Sequence, residues 1–97
     1  MTRGVLSKPE MKIVFQGRSY KLVITDHAQL QMKLRGISEA EVFSVIETGE
    51  SKQKAVPGKY WVYKELKGRK DNLIAVSISL EKPHLIVITT LVNWRPL

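Results

Sequence analysis

The sequence predicts an α+β fold in which two N-terminal helices pack, in two layers, on a mostly antiparallel sheet of about four strands. Apolar residues follow helical spacing in the first half of the chain and alternate with polar residues in the second half. This order of helices first and strands later argues against a regular parallel βαβ fold. Ninety-seven residues provide for a single domain over residues 1–97, in which residues 1–9 are expected to form a flexible arm.

A short hairpin and two helices are predicted in the first half. The segments MKIVF and YKLVI flank QGRS, whose glycine marks a turn, so they are expected to pair as an N-terminal hairpin. The first helix follows, with Thr25 or Asp26 as its cap and Gly36 as its stop. Ser38 then opens the second helix, where Glu41 completes a capping box.

Three strands are predicted in the second half, in the segments KYWVYKEL, NLIAVSISL and HLIVITTLV. The middle segment alternates Ile74, Val76 and Ile78 with small or polar residues, which indicates a strand with one apolar face. The polar segments KGRKDN and EKP connect these strands. Residues 52–56 carry a weaker pattern for a preceding strand.

The composition narrows the class of partner. Sixteen Lys and Arg against nine Asp and Glu leave a formal charge of +7, which favours a polyanion such as RNA, DNA, an acidic protein or an anionic membrane. The absence of cysteine excludes disulfides, thiolate metal sites and a cysteine nucleophile. Neither a metal-ligand spacing nor a glycine-rich phosphate loop is present, so no metal or cofactor is expected. No apolar run is long enough to span a bilayer, and the expected location is the cytoplasm.

Three polar side chains, His27, Gln31 and Arg35, recur at intervals of four along the first predicted helix. At about 100° per residue they lie on an arc bordered by two leucines on one side and by an alanine and a methionine on the other. The polar stripe should therefore lie within the face that packs. Burial of a guanidinium and an imidazole is costly unless they are paired or face a wet cavity, so the stripe is a candidate reactive centre. Alternatively, the helix packs at its edges and Arg35 reaches water past the margin of the sheet.

The segment TDHAQLQMKLRGIS, followed by EAEVFSVIETGE, resembles the signature of the bacterial domain-of-unknown-function 4258 family. The shared elements are a His-Ala pair, a Met four residues after that Ala, an Arg-Gly-Ile-Ser run and a Glu-rich amphipathic helix. The later segment LIVITTLV also suits this family, so the resemblance covers residues 20–92. It implies a RelE-like fold, that of the barnase–colicin–RelE group of small metal-independent ribonucleases, many of which are toxin modules. The family usually has Arg at the position of Gln31, which leaves this chain with one cation fewer.

The resemblance implies roles for the stripe in RNA cleavage. His27 would act as base or acid, because an imidazole exchanges protons near neutral pH. Arg35 would present its planar fork to phosphate oxygens, whereas Gln31 would donate only neutral hydrogen bonds. From the sheet, Thr89 or Thr90 would hydrogen-bond the phosphate.

Further cations and aromatic rings are candidates for holding nucleic acid. The predicted hairpin tip carries the basic residues Lys64, Lys67, Arg69 and Lys70, which either grip a phosphate backbone or form a solvated turn. Tyr60, Trp61 and Tyr63 could stack on bases. Strand alternation places Trp61 and Tyr63 on one face and Tyr60 on the other, so at least part of this cluster is expected in the core. His84 follows a proline at a strand start, which favours a turn residue over a second acid or base.

Three functions are consistent with these patterns. The first is a RelE-like ribonuclease or toxin-related domain that acts on RNA and is paired with an acidic, antitoxin-like protein. The second is a non-catalytic module that binds nucleic acid or protein, which the glutamine at position 31 favours. The third is a housekeeping domain whose positive charge serves solubility only.

Overall fold

The computed structural model describes residues 11–66 and 73–93, which form six strands and two helices. In chain order these elements are β1 (Met11–Phe15), β2 (Arg18–Ile24), α1 (Asp26–Arg35), α2 (Glu39–Thr48), β3 (Glu50–Gln53), β4 (Lys59–Glu65), β5 (Leu73–Glu81) and β6 (His84–Val92). In the described part of the chain, neither helix is long and apolar enough to cross a membrane.

All six strands belong to one curled, mixed sheet in the order β1-β2-β6-β5-β4-β3. The pairs β1–β2, β3–β4, β4–β5 and β5–β6 are antiparallel, whereas β2 and β6 are parallel. The β1–β2 hairpin is thus joined to the last strand of the chain. This parallel pairing requires a long crossover, which contains both helices and three strands.

The predicted fold class is therefore wrong in three respects. The sheet has six strands rather than about four, and strands outweigh helices in the architecture. The helices also do not precede the sheet, since they lie between β2 and β3. The physical reason is that β2 pairs with β6, more than sixty residues later, and local patterns carry no information about such a long-range register.

One face of the sheet, here called the helix-covered face, forms the hydrophobic core with α1 and α2. Its fully buried side chains alternate along the strands, and they include Ile13, Val62, Ile74, Val76, Ile78, Leu85 and Val87. Val42, Val45 and Ile46 of α2 pack against them, as do Ala28 and Met32 of α1. The Tyr60 ring meets Phe15 edge-on on this face, with 5.3 Å between the ring centres, so at least this part of the aromatic cluster packs against the core.

The predicted helix signals are confirmed at three ends. The Thr25 hydroxyl accepts from the amide of Ala28 as the cap of α1. Gly36 ends α1 with a φ of 65°, in the left-handed region that favours glycine. Ser38 and Glu41 form the reciprocal capping box of α2, because each side chain accepts from the backbone amide of the other residue. These caps fix where α1 begins relative to the sheet.

Candidate nucleic-acid interface

The polar stripe of α1 lies at the margin of the packed face, not in its middle. Only Ala28 and Met32 of this helix are buried, whereas Leu30 and Leu34 are 53% and 70% exposed. The prediction that apolar side chains pack on both sides of the stripe is therefore wrong on the leucine side. The reason is that α1 packs along β6 with one side only.

His27, Gln31 and Arg35 differ in exposure as a result. The His27 side chain is exposed, and those of Gln31 and Arg35 are half-buried. Within the described residues no side chain or backbone group is hydrogen-bonded to the His27 imidazole. The three residues share one side of the helix, since side chains four apart are neighbours along an α-helix.

The start of α1 is fastened to β6 close to Thr89. The Thr25 amide donates to the Val87 carbonyl oxygen at 3.2 Å, and the Thr25 hydroxyl lies 3.1 and 3.3 Å from the carbonyl oxygens of Val87 and Ile88. His27 follows this junction by two residues along the helix, and Thr89 follows it directly along the strand. Two of the predicted site residues thus lie within two positions of this junction along the chain, although α1 covers one face of the sheet and the Thr89 side chain lies on the other.

Thr89 and Thr90 lie on opposite faces, because the strand alternates. Thr89 is half-buried and pairs in register with Ser77, whereas Thr90 is fully buried in the core and pairs with Val76. The Thr90 hydroxyl has no hydrogen-bond partner within the described structure. Of the two threonines, Thr89 is the one placed where a ligand could reach it.

Of the predicted basic tip, the structure describes Lys64, which is not on the same face as Thr89. Lys64 lies on the helix-covered face, where its ammonium donates to the hydroxyls of Ser44 at 3.1 Å and Thr48 at 2.5 Å. The other members of that prediction, Lys67, Arg69 and Lys70, lie outside the described residues.

The second face of the sheet, here called the open face, carries a polar row across four strands. Register pairs align Lys52 of β3 with Trp61 of β4, Trp61 with Ser77 of β5, and Ser77 with Thr89 of β6. Directly opposed residues of a sheet point to the same side, so the four side chains form one row. Trp61 and Tyr63 share this face, as the alternation predicted.

The next row of the open face adds two lysines and a second serine. Lys59 pairs in register with Ser79, and its ammonium donates to the Ser79 hydroxyl at 3.2 Å. Lys54 follows β3, and its ammonium donates to the Ser77 hydroxyl and lies 4.3 Å from the centre of the Trp61 ring. We name these two rows the basic strip, which consists of Lys52, Lys54, Lys59, Trp61, Ser77, Ser79 and Thr89.

The charges of Lys54 and Lys59 are not balanced by acids within the basic strip. Ser77 and Ser79 are buried, and their hydroxyls bind ammonium groups. Glu81 accepts from the Ser79 hydroxyl at 3.3 Å, but no described carboxylate pairs with Lys54 or Lys59. The glutamates of this face lie in the outer rows of the sheet, at Glu50, Glu65 and Glu81. Lys54 and Lys59 are therefore neighbouring cations in a row that contains no acid.

The electrostatic cost of this arrangement is visible at Lys54. Burial of its ammonium, and secondly the positive charge of Lys59, lower the pKa of Lys54 below its ordinary value of 10.5. An anion placed beside the two ammonium groups would offset their repulsion and favour the protonated form of Lys54. The strip is thus suited to an anionic ligand.

Sequence reasoning missed Lys54, Lys59, Ser77 and Ser79 as candidates. In the sequence these residues are isolated among strand residues, and the serines read as spacers between apolar side chains. Only the register of β3, β4 and β5 places them together. The alternation of Trp61 with Tyr60 was the one usable signal, since it identified the face.

Comparison with known proteins gives one family. Residues 24–92 match the sequence model of the domain of unknown function DUF4258, in agreement with the resemblance of the His-Ala and Arg-Gly-Ile-Ser segments. A search of curated proteins and a search of solved structures gave no match.

Proposed function

The chain belongs to the DUF4258 family, and we propose that it binds single-stranded RNA through the basic strip of the open face. The observation that carries this proposal is the pair Lys54 and Lys59, whose ammonium groups are held by serine hydroxyls and not by carboxylates. Such an arrangement keeps two positive charges available to a phosphate. The net charge of +7 attracts the same class of ligand at longer range.

The phosphate contact is the electrostatic part of the proposal. A phosphodiester near Lys54 and Lys59 relieves their mutual repulsion and accepts hydrogen bonds from both ammonium groups. The hydroxyl of Thr89, in the neighbouring row, offers a further donor. Affinity that depends on such contacts falls steeply with salt, because counterions are released from the nucleic acid on binding.

The aromatic rings favour a single strand over a duplex. Trp61 and Tyr63 are half-buried neighbours on the same face of β4. Unpaired bases can stack on exposed ring faces, whereas the bases of a duplex are already stacked on one another. The Lys54 ammonium lies over one face of the Trp61 ring, which places a positive charge directly next to the ring.

Fluorescence anisotropy with a labelled, single-stranded oligoribonucleotide that ends in a 5′-hydroxyl tests the proposal. Lys54→Met and Lys59→Met remove a charge and retain an apolar stem, and Lys33→Met removes the same charge from an exposed position on α1. Each strip variant is expected to weaken binding about tenfold, the size of one charged hydrogen bond, and to lower the slope of log K against log salt by about 0.7.

The control variant Lys33→Met measures how much the loss of one positive charge elsewhere on the protein weakens RNA binding. Lys33→Met is expected to change the dissociation constant less than twofold, the effect of net charge alone. Equal effects of Lys33→Met and Lys54→Met, or no salt-dependent binding of RNA by the unaltered protein, would contradict the proposal. A duplex of the same sequence is expected to bind more weakly than the single strand.

A second candidate function is metal-independent cleavage of the bound RNA. The observation that favours it is the junction of α1 with β6, where the exposed His27 follows Thr25 by two residues and Thr89 follows Ile88 along the strand. His27 would take the proton of the ribose 2′-hydroxyl or deliver one to the leaving 5′-oxygen. Arg35, on the same side of the helix, would stabilise the charge of the phosphorane.

Product analysis separates cleavage from binding. Cleavage in the presence of a chelator is expected to leave 2′,3′-cyclic phosphate ends, and His27→Ala is expected to abolish it while RNA affinity is retained. His84→Ala serves as the control, since His84 is the other histidine of the chain. Intact RNA after incubation with the unaltered protein would rule out the second candidate and leave the first standing.

A further inference from the structure

A cleft of about 460 Å³ lies at the end of the sheet where the β1–β2 and β5–β6 turns meet. Its lining consists of Arg18, Ser19, Tyr20, Lys82 and Pro83. The Lys21 amide donates to the Pro83 carbonyl oxygen at 2.8 Å, which fastens the second turn to β2. Two segments distant in sequence thus form one concave site.

The cleft presents two positive charges. The side chains of Arg18 and Lys82 are exposed, and no carboxylate of the described residues pairs with either of them. Glu81 precedes Lys82, but its carboxylate accepts from Ser79 on the open face. An anionic ligand could therefore form ion pairs with both side chains.

The other lining residues of the cleft favour an organic molecule that carries the anionic group. Pro83 and Tyr20 supply apolar surface, and Ser19 supplies a hydroxyl that can donate to a ligand oxygen. The volume falls in the range of sites for small organic molecules and exceeds what one phosphate fills. A guanidinium can bind two phosphate oxygens at once, and a phosphomonoester carries nearly two negative charges at neutral pH.

We propose that this cleft binds a 5′-phosphorylated nucleotide, with the phosphomonoester between Arg18 and Lys82 and the nucleoside against Pro83. The nucleotide is either free or the 5′ end of an RNA. The second source rests on the proposed RNA binding, because a strand that leaves the basic strip passes the row of Glu81, His84 and Lys21 before it reaches the cleft.

Paired ligands test the cleft directly. The first pair is one oligoribonucleotide with a 5′-phosphate or a 5′-hydroxyl, and the second is adenosine 5′-monophosphate or adenosine. For at least one pair the phosphorylated member is expected to bind about tenfold more tightly, the size of one charged hydrogen bond. Arg18→Gln and Lys82→Met are expected to abolish this ratio, whereas Lys54→Met is expected to weaken both RNAs equally and preserve it.

The outcomes distinguish this inference from the proposed function. A ratio that appears only with RNA identifies the strand end as the ligand, and one that appears with the mononucleotide identifies a free nucleotide. If no RNA binds, the proposed function fails and the mononucleotide pair alone decides the cleft. A ratio near one for both pairs, or a ratio that survives in both cleft variants, would overturn the inference.

Discussion

Lysine side chains have different surroundings on the two faces of the sheet. Lys64, on the helix-covered face, is held by two hydroxyls of α2, so its charge is used to connect the helix to the sheet. Lys54, on the open face, is held by Ser77 and lies against Trp61, beside a second lysine. Both lysines donate to hydroxyls, so the difference is that Lys59 adds a second positive charge beside Lys54. A cation that connects a helix to the sheet stabilises the fold, whereas two neighbouring cations on one surface favour the binding of an anion.

The difference in packing between the two faces should be largest at two neighbouring positions of β6. Leu85 is fully buried on the helix-covered face and Ile86 is half-buried on the open face. Leu85→Ala is expected to lower the free energy of unfolding by about 2–5 kcal/mol, because it removes buried methylene groups and leaves a cavity. Urea denaturation measures this loss. Ile86→Ala should cost clearly less, and equal losses would mean that both faces are packed alike.

Thr90 and Thr89 give a finer comparison. The Thr90 hydroxyl is buried without a partner, so Thr90→Val is expected to raise the free energy of unfolding by about 1 kcal/mol. Thr89→Val, on the open face, is expected to leave stability nearly unchanged and to weaken RNA binding. Thermal or urea unfolding, paired with anisotropy, checks both substitutions. Destabilisation by Thr90→Val would show that the hydroxyl has a partner in solution.

The two lysines can be separated by the same paired measurements. Lys64→Met removes two hydrogen bonds to α2 and is expected to lower the free energy of unfolding by about 1 kcal/mol, with RNA affinity unchanged. Lys54→Met is expected to weaken RNA binding instead. If Lys64→Met weakens RNA binding as much as Lys54→Met does, RNA does not bind the open face in preference to the helix-covered face, and the proposed difference between the faces is wrong.

The smallest expected effect is a dependence on alkaline pH. Burial and Lys59 lower the pKa of Lys54 in the folded chain, so between that pKa and 10.5 the unfolded chain binds more protons. The free energy of unfolding should therefore rise with pH in this window, relative to Lys54→Met, and RNA affinity should fall as Lys54 loses its charge. Parallel denaturation and binding curves for the two proteins measure this. Identical curves would place Lys54 in ordinary solvent.

The local parts of the fold were predictable from sequence, and the long-range parts were not. The caps at Thr25, Gly36 and Ser38 follow from side-chain chemistry within a few residues, and the opposite faces of Tyr60 and Trp61 follow from strand alternation. The six-stranded sheet depends on the pairing of β2 with β6, which no local pattern encodes. The same limit applies to the site.

The helix stripe shows why sequence periodicity misplaced the candidate residues. Periodicity located His27 and Arg35 between apolar side chains, but it could not show that only the Ala28 side of α1 meets the core. The lysines and serines of the basic strip have no local signature, because three strands contribute them. The register of β3, β4 and β5 is what places these side chains next to one another.

Lysine acetylation, read by mass spectrometry with and without single-stranded RNA, tests the central claim most directly. RNA is expected to slow the acetylation of Lys52, Lys54 and Lys59, while Lys33 of α1 keeps its rate. Protection that is confined to Lys33 and Lys64, or no protection at any lysine under conditions where RNA is bound, would contradict the assignment of the open face as the RNA-binding surface.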